Sequence, residues 1–382
     1  MLFTQFDNIR VAGLACAVPS FVQEIDTNPN RADADYVANF VKNTGISRRH
    51  ISAIRQTSMD LCYGASVKAL ETAGWESKSI DVVICITYTP DAKTPGNGCL
   101  LQYALGMRQG SMAFDMNVAC AAFPYAISVA GSLLQSPAIN RILVTTSYTR
   151  WGKYYLEAIK NGKNDYLENI KADNTFLFGE AGSAILLEKK LDSLPVKLGL
   201  WSDGSGFKHL NLLAGARNPD LIYEASDDGM IDINGEDLPP GVDLYMDGYA
   251  IMSFTTSTVV KSIKEFIAQI QSSADSYDGV VLHQANLQIL KNMARRLGVG
   301  MDKVPLSIDK YANTGGTSVF LTIAEAYNQE KRGRESLRLL ASGFGAGLTW
   351  GVVDFHISSA VVAPVFEYDG IFKDMQYKRK EG

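Results

Sequence analysis

The chain of 382 residues is poor in the side chains that announce metal or disulfide chemistry, with four histidines and five cysteines. The cysteines (Cys16, Cys62, Cys85, Cys99 and Cys120) are odd in number and contain no C-x-x-C pair, which suits neither a disulfide framework nor a zinc site. A reducing compartment fits them best. No stretch approaches the roughly 18 apolar residues needed to span a bilayer. The opening MLFTQFDNIRVAGLACAVPS has neither the basic start nor the apolar segment of a signal peptide. The expectation is a cytoplasmic protein without a membrane partner. Excess positive charge is also missing: 36 Lys and Arg against 41 Asp and Glu give a net charge of −5, which argues against a nucleic-acid partner held by a general basic field. There is no P-loop, and GFGAG (343–347) is not a G-x-G-x-x-G match. No cofactor and no metal is expected.

What is present is a globular composition, 46% apolar and 10% aromatic, in a chain long enough for two or three domains or for one large α/β unit built from two halves. Short runs rich in Val and Ile, at 9–19, 81–90, 141–149, 182–188, 278–285 and 337–344, alternate with helical patterns. Strands buried on both faces read as such continuous apolar runs. The helical pattern at 58–73 precedes the strand DVVICITYT, and that at 257–274 precedes DGVVLHQA about 200 positions later. Each half then ends in a strand rich in small residues, FGEAGSAILLE and FGAGLTWGVVDF. The pattern points to an internal duplication, with halves at 1–195 and 196–382. Between them, 203–242 is dense in Gly, Asp and Pro and reads as a long surface connection. Segment 151–175 reads as a polar, partly helical excursion, and the charged tail KDMQYKRKEG as frayed.

Cys120 lies where the strand-like FDMNV gives way to small residues and then to a helix with Ile127, Gly131 and Leu134 at helical spacing. A cysteine at a helix N-terminus meets backbone N–H groups and the positive end of the dipole, which stabilise a thiolate and lower its pKa. A small buried cysteine packing a helix start would look the same locally. Of the four histidines, His283 is placed best, at the end of the apolar strand DGVVL; a structural histidine is the competing reading. Asn313 stands in the turn Asn-Thr-Gly-Gly before an apolar helix, where it could equally be an N-cap.

Taken together, Cys120, His283 and Asn313, 163 and then 30 positions apart, resemble one family. The chain is similar over nearly its whole length to β-ketoacyl-acyl-carrier-protein synthase III of the thiolase superfamily. The likeness rests on TGISRRHIS (44–52), FDMNVACAAFPYAIS (114–128), LFGEAGSAILL (177–187), MDGYAIMSF (246–254), LHQANLQIL (282–290), YANTGGTSV (311–319) and FGAGLTWG (344–351). It implies an α/β thiolase fold, duplicated βα halves in five layers (αβαβα), and a homodimer. It implies that Cys120 accepts an acyl group from a thioester carried by CoA or by an acyl carrier protein. His283 and Asn313 would stabilise the enolate of a malonyl-type thioester as carbon dioxide leaves. The backbone N–H groups of Cys120 and Ala346 would form an oxyanion hole at the cysteine, and Phe178 would border the acyl pocket.

The departures from that pattern carry information. Asn39 and Asn43 stand where acyl-CoA-using members hold the adenine between tryptophan and arginine, so a CoA donor is disfavoured. Thr94 stands where a bulky phenylalanine often closes the partner subunit's acyl pocket, which implies a longer or wider cavity or, alternatively, a turn cap. The expected pathway is a specialised fatty-acid or secondary-metabolite one. Lys291, Arg295 and Arg296, on the helix after HQAN, form a basic face suited to an acidic carrier protein, although Gln288 and Ser253 replace further basic residues there. Three other readings compete. One is an acyltransferase that uses the same Cys-His pair without decarboxylation. The second is a papain-like protease, opposed by the position of the cysteine and by the lack of its C-G-S-C-W context. The third is an inactive dimer partner, opposed by the presence of all three site residues.

Overall fold

The computed structural model describes residues 1–25, 34–53, 55–149, 176–212, 224–225, 231–233, 236–238, 244–333 and 335–372. The expected excursion at 151–175 and the tail from 373 onward lie outside them. Two sheets organise the chain. Their strands are β1 (Leu2–Phe6), β2 (Ile9–Val18), β3 (Val82–Ile86), β4 (Met112–Met116), β5 (Arg141–Tyr148), β6 (Ala181–Lys189), β7 (Val196–Ser202), β8 (Gly279–Leu282), β9 (Ser336–Gly345), β10 (Thr349–Ser358) and β11 (Phe366–Glu367). One sheet runs β11-β2-β6-β5-β3-β4 and the other β1-β7-β10-β9-β8.

The two sheets repeat one wiring. In the first, β2 pairs antiparallel with β6, β6 antiparallel with β5, and β5 parallel with β3. In the second, β7 pairs antiparallel with β10, β10 antiparallel with β9, and β9 parallel with β8. The duplication read from the sequence is therefore a structural one. The two terminal strands cross it: β1 joins the second sheet along β7, and β11 joins the first along β2.

Helix composition explains the layering. In α4 (Ala122–Leu133) and α7 (Ser318–Tyr327), small and apolar residues are buried nearly all round, as a helix enclosed on both sides requires. These two helices lie between the sheets, with Phe123 and Phe320 in edge contact at 4.9 Å, in a core shared with Ile84, Val144, Val281 and Val353. By contrast α2 (Ser58–Ala73) covers the outer face of the first sheet together with α3 (Asn97–Ala104). A capping box between Thr57 and Asp60 starts α2, and Gly74 ends it in a left-handed conformation at φ 66°. On the outer face of the second sheet, α5 (Val260–Gln269) and α6 (Leu287–Leu297) bury one stripe each. In α6 that stripe is Ile289, Leu290, Met293, Ala294 and Leu297, which leaves Lys291, Arg295 and Arg296 exposed. The result is five layers, αβαβα.

Two expectations need correction. The helix expected at 257–274 starts earlier, at Gly248, passes through a wider π-turn at Phe254–Val259, and ends at Gln269. The stretch 203–242 is not wholly irregular: Gly204–His209 forms a 3₁₀ turn, Leu210–Leu212 pairs with Leu244–Met246, and a three-stranded meander lies between. Among the described residues no helix is long and apolar enough to cross a membrane.

Because Phe123 also packs against Phe355, at 5.4 Å, its ring ties the middle layer to the second sheet. Phe123→Ala is expected to cost about 3–5 kcal/mol in denaturant unfolding, whereas Leu194→Ala, at an exposed position, should stay within about 0.5 kcal/mol.

Candidate active site

The first sheet delivers Cys120 through a sharp turn. After β4, Ala119 takes the left-handed conformation at φ 45°, and the 3₁₀ turn Ala119–Ala121 runs straight into α4. A non-glycine residue held at positive φ stores strain of the order found at functional turns. The second sheet closes over this turn. A Cβ placed on Gly345 would lie 2.7 Å from the Cβ of Cys120, and one on Gly343 would lie 2.9 Å from the Cys120 carbonyl oxygen. Only glycine permits that approach of β9 to the cysteine.

His283 stands just past the end of β8, its backbone N–H donating to Ser342 O at 2.9 Å and its ring meeting Phe344 edge-on at 5.2 Å. Nδ1 lies 2.5 Å from the Ser318 hydroxyl, which also accepts the Gln284 N–H at 3.4 Å. Among the described residues Nδ1 is the acceptor that the buried Ser318 O–H has. Satisfying that hydroxyl places the ring proton on Nε2.

Asn313 is held from both sides. Its N–H donates to Leu177 O at 3.0 Å, its carbonyl accepts from Gly179 N–H at 3.1 Å, and this isolated bridge joins it to Phe178, just before β6. The side-chain Oδ1 accepts from Gly315 N–H at 2.9 Å. This bond is an Asx turn: Thr314 caps the 3₁₀ turn Gly315–Thr317 and Thr317 caps α7, so Asn313 is not the helix cap. Its Nδ2 makes no hydrogen bond among the described residues, so a donor is kept for another partner. Buried Arg49 braces the same segment by donating to Phe178 O at 3.0 Å and to Gln23 Oε1 at 2.9 Å.

The electrostatics differ from the sequence reading at one point. Burial pushes the Cys120 thiol up to about 12, opposed in part by a hydrogen bond from the Tyr88 side chain. The expected lowering by the helix start does not prevail, because the enclosing β9 glycines and the middle layer remove the thiol from water. Burial likewise pushes His283 down to about 3. The resting pair is a neutral thiol and a neutral imidazole.

The other expected residues are placed as follows. Phe178 is buried, with its ring 5.5 Å from Tyr148. Ala346 directly follows Gly345 and is half-buried; among the described residues neither its N–H nor that of Cys120 donates to an acceptor in the chain. Thr94 is exposed in the turn before α3, so a pocket role for it depends on a second subunit. Asn39 and Asn43 are exposed on α1 (Ala34–Thr44), which packs beside the start of α6: a Cβ on Gly45 would lie 2.8 Å from Leu287 Cβ. Sequence reasoning passed over Ser318, Arg49 and Tyr88. Ser318 and Arg49 lie inside the quoted segments YANTGGTSV and TGISRRHIS, but only the fold brings their side chains to the site. Among the described residues no cluster of metal-ligating side chains is present.

A neutral buried histidine has a consequence for stability. Between its ordinary value of 6.5 and the folded value of about 3, the unfolded chain binds a proton at His283 that the folded chain does not. The contribution is complete above pH 6.5 and is lost as pH falls toward 3, with a slope of about 1.4 kcal/mol per pH unit. The His283→Gln variant is expected to show a flatter decline of unfolding free energy than the parent over that window, measured by urea titration at several pH values.

Comparison with known proteins bears on this arrangement. Residues 114–204 match the family described as 3-oxoacyl-[acyl-carrier-protein (ACP)] synthase III, and residues 267–357 match its C-terminal region. A β-ketoacyl-[acyl-carrier-protein] synthase III of Xanthomonas campestris pv. campestris is 32% identical over 344 residues, covering 90% of this chain and 96% of that one. Among solved structures, a 3-oxoacyl-(acyl-carrier protein) synthase of Burkholderia xenovorans superposes with a TM-score of 0.81 at 28% identity, covering 96% of this chain and 99% of that one. A β-ketoacyl-[acyl carrier protein] synthase III of Thermus thermophilus does so with a TM-score of 0.72 at 26% identity, over 90% and 98%. With the thiolase-type fold and this degree of likeness over nearly its full length, the chain belongs to the β-ketoacyl-[acyl-carrier-protein] synthase III family of condensing enzymes.

Proposed function

We propose that this protein forms a carbon–carbon bond by decarboxylative Claisen condensation, with Cys120 as acyl carrier and His283 and Asn313 as the donors that hold the extender's enolate. In the first half-reaction the Cys120 sulfur displaces the thiol of an acyl thioester; the new thioester bond replaces the old one, and the cysteine proton leaves with the departing thiol. In the second, a malonyl-type thioester loses carbon dioxide. The negative charge falls on its carbonyl oxygen, where His283 Nε2–H and Asn313 Nδ2–H donate. The carbanion attacks the acyl-cysteine carbonyl, whose oxygen is received by the Cys120 and Ala346 amides, and collapse expels the Cys120 thiolate, which regains a proton.

The observation that carries this reading is the orientation of the two side chains. Ser318 occupies Nδ1 of His283 and Gly315 occupies Oδ1 of Asn313, so both present N–H groups rather than lone pairs. A non-decarboxylating acyltransferase would need His283 as a base toward its acceptor, and the occupied Nδ1 leaves Nε2 protonated. The neutral resting state of His283 supports the same choice, because a neutral imidazole can donate without first taking a proton.

The homodimer and the substrate's route belong to the same reading. Strand β4 is the open edge of the first sheet, half-buried along its length and exposed at Met112. It suits pairing with a second copy. The Asp115 carboxylate on β4 accepts from Asn97 N–H at 2.7 Å and Gly98 N–H at 2.6 Å, which ties the Thr94 turn to that edge and supports a reach into the partner's acyl pocket. With Asn39 and Asn43 unable to grip adenine, a carrier protein docked on Lys291, Arg295 and Arg296 is the favoured donor, in a specialised fatty-acid or secondary-metabolite pathway.

Intact-mass spectrometry after incubation with acyl thioesters tests the nucleophile: Cys120→Ala should abolish the adduct, and an adduct persisting on that variant would exclude the assignment. Asn313→Ala should keep self-acylation but lose roughly 10²–10³ in condensation rate; an unchanged rate would favour the acyltransferase. Thr94→Phe is expected to shorten the longest acyl chain accepted, read from product lengths. Reversing Arg295 and Arg296 to Glu should raise KM for a carrier-bound substrate several-fold without slowing a small synthetic thioester, and an equal effect on both would eliminate docking at that face.

A further inference from the structure

Arg49 is among the largest side chains that the described residues enclose, yet it belongs to neither main sheet. It lies on the short strand Arg48–His50, which pairs antiparallel with Val22–Glu24 so that Gln23 stands directly opposite. The segment before β6 pins this strand: Glu180 N–H donates to His50 O at 3.0 Å, and the Glu180 carboxylate accepts from Ser52 N–H at 2.6 Å. From there the guanidinium reaches back along the same segment. Nε donates to Gln23 Oε1 at 2.9 Å, Nη1 donates to Phe178 O at 3.0 Å, and the Phe176 ring faces the guanidinium carbon at 5.7 Å.

The oxygen that receives Arg49 belongs to the same peptide unit as the Gly179 N–H, and that N–H donates to Asn313 O. The run of bonds is therefore continuous, from guanidinium to peptide and from peptide to the main chain of Asn313. Each bond in such a run polarises the next, and a charged donor at its head strengthens the first. A Cβ on Gly179 would lie 2.1 Å from Tyr311 O and 3.4 Å from Arg49 Cβ, so the peptide is wedged between the arginine and the residues that lead into Asn313.

We infer that Arg49 is a positioning residue for the condensation half-reaction: it fixes the Phe178–Gly179 peptide, and through it the backbone from which Asn313 aims Nδ2 at the enolate. The inference rests on the proposed role of Asn313. Arg49 touches no reacting atom, makes and breaks no covalent bond, and stays charged throughout. Its planar fork serves the Gln23 and Phe178 oxygens at once, which a single ammonium on a flexible stem does not do. Cys120 is carried by the turn between β4 and α4, so its acylation does not pass through this run of bonds.

Two measurements on the full-length protein test this. Hydrogen–deuterium exchange reads the bridge itself, without substrate: in Arg49→Lys the amides of Gly179 and Asn313 are expected to exchange about tenfold faster, while those of α4 keep the parent's rates. Carbon dioxide release from malonyl-N-acetylcysteamine, after loading from butyryl-N-acetylcysteamine, reads the consequence. Arg49→Lys should load Cys120 within about twofold of the parent's rate and lose about 10–10²-fold in carbon dioxide release. The same substitution made in Asn313→Ala should add less than about twofold, since the residue it positions is gone. A merely structural arginine would slow both backgrounds alike. That result, or unchanged exchange at Gly179 and Asn313, would overturn the inference. If Arg49→Lys does not fold, Gln23→Met takes away the acceptor that sets the plane of the guanidinium. It is expected to give the same pattern with smaller amplitude, and the absence of that pattern would overturn the inference equally. An Asn313→Ala protein that releases carbon dioxide at the parent's rate would remove the condensation reading, while the exchange rates would still decide whether Arg49 holds Asn313.

Discussion

The burial of two helices between two sheets is the constraint on which the rest of this molecule depends. Both α4 and α7 begin at the site, one behind the Cys120 turn and the other behind the Asn313 turn. The contact of Phe123 with Phe320 fixes the two helices side by side, and so fixes their starting turns side by side. A mismatch in that middle layer would be felt directly as a displaced cysteine, since close-packed interiors transmit strain rather than absorb it. The chemistry and the core are in this sense one construction.

That construction sets the electrostatics. Closing β9 over Cys120 with Gly343 and Gly345 removes the thiol from water and makes its charge costly, and the same dry environment keeps His283 neutral. Neutral donors aimed by Ser318 and by the Gly315 amide need no reorganisation when charge appears on a bound oxygen. The enclosure that hinders ionisation of the nucleophile is what makes each donor strong.

How much of this was legible beforehand depended on the range of the interaction. Periodicity located the strands at 9–19, 141–149 and 337–344 because burial on both faces leaves a continuous apolar signature along the chain. The repeat of helix followed by strand showed the duplication for the same reason. Cys120, His283 and Asn313 stood out because a strand end and a turn are local features. Ser318 gave no such signal. It acts on His283, 35 positions away in the chain and on another element, and a serine near a helix start looks ordinary. The direction of the thiol shift was also out of reach, because the local cue, a helix start, pulls one way and the enclosing strand, more than 200 residues downstream, pulls the other.

The exchange of terminal strands bears on how the duplicated halves came to be one unit. A chain divided near residue 195 would give a first piece carrying β1 with no strand to pair it and lacking β11, and a second piece whose sheet ends bare at β7. Each half lends its outermost strand to the other, so the ends of the polypeptide act as a clasp that binds beginning to end. The pairing of Phe366 with Ala17 can form only once the chain has been synthesised as far as Phe366. Contacts of that sequence separation are slow to close. The two halves repeat one wiring, and each completes its sheet only with a strand that the other supplies.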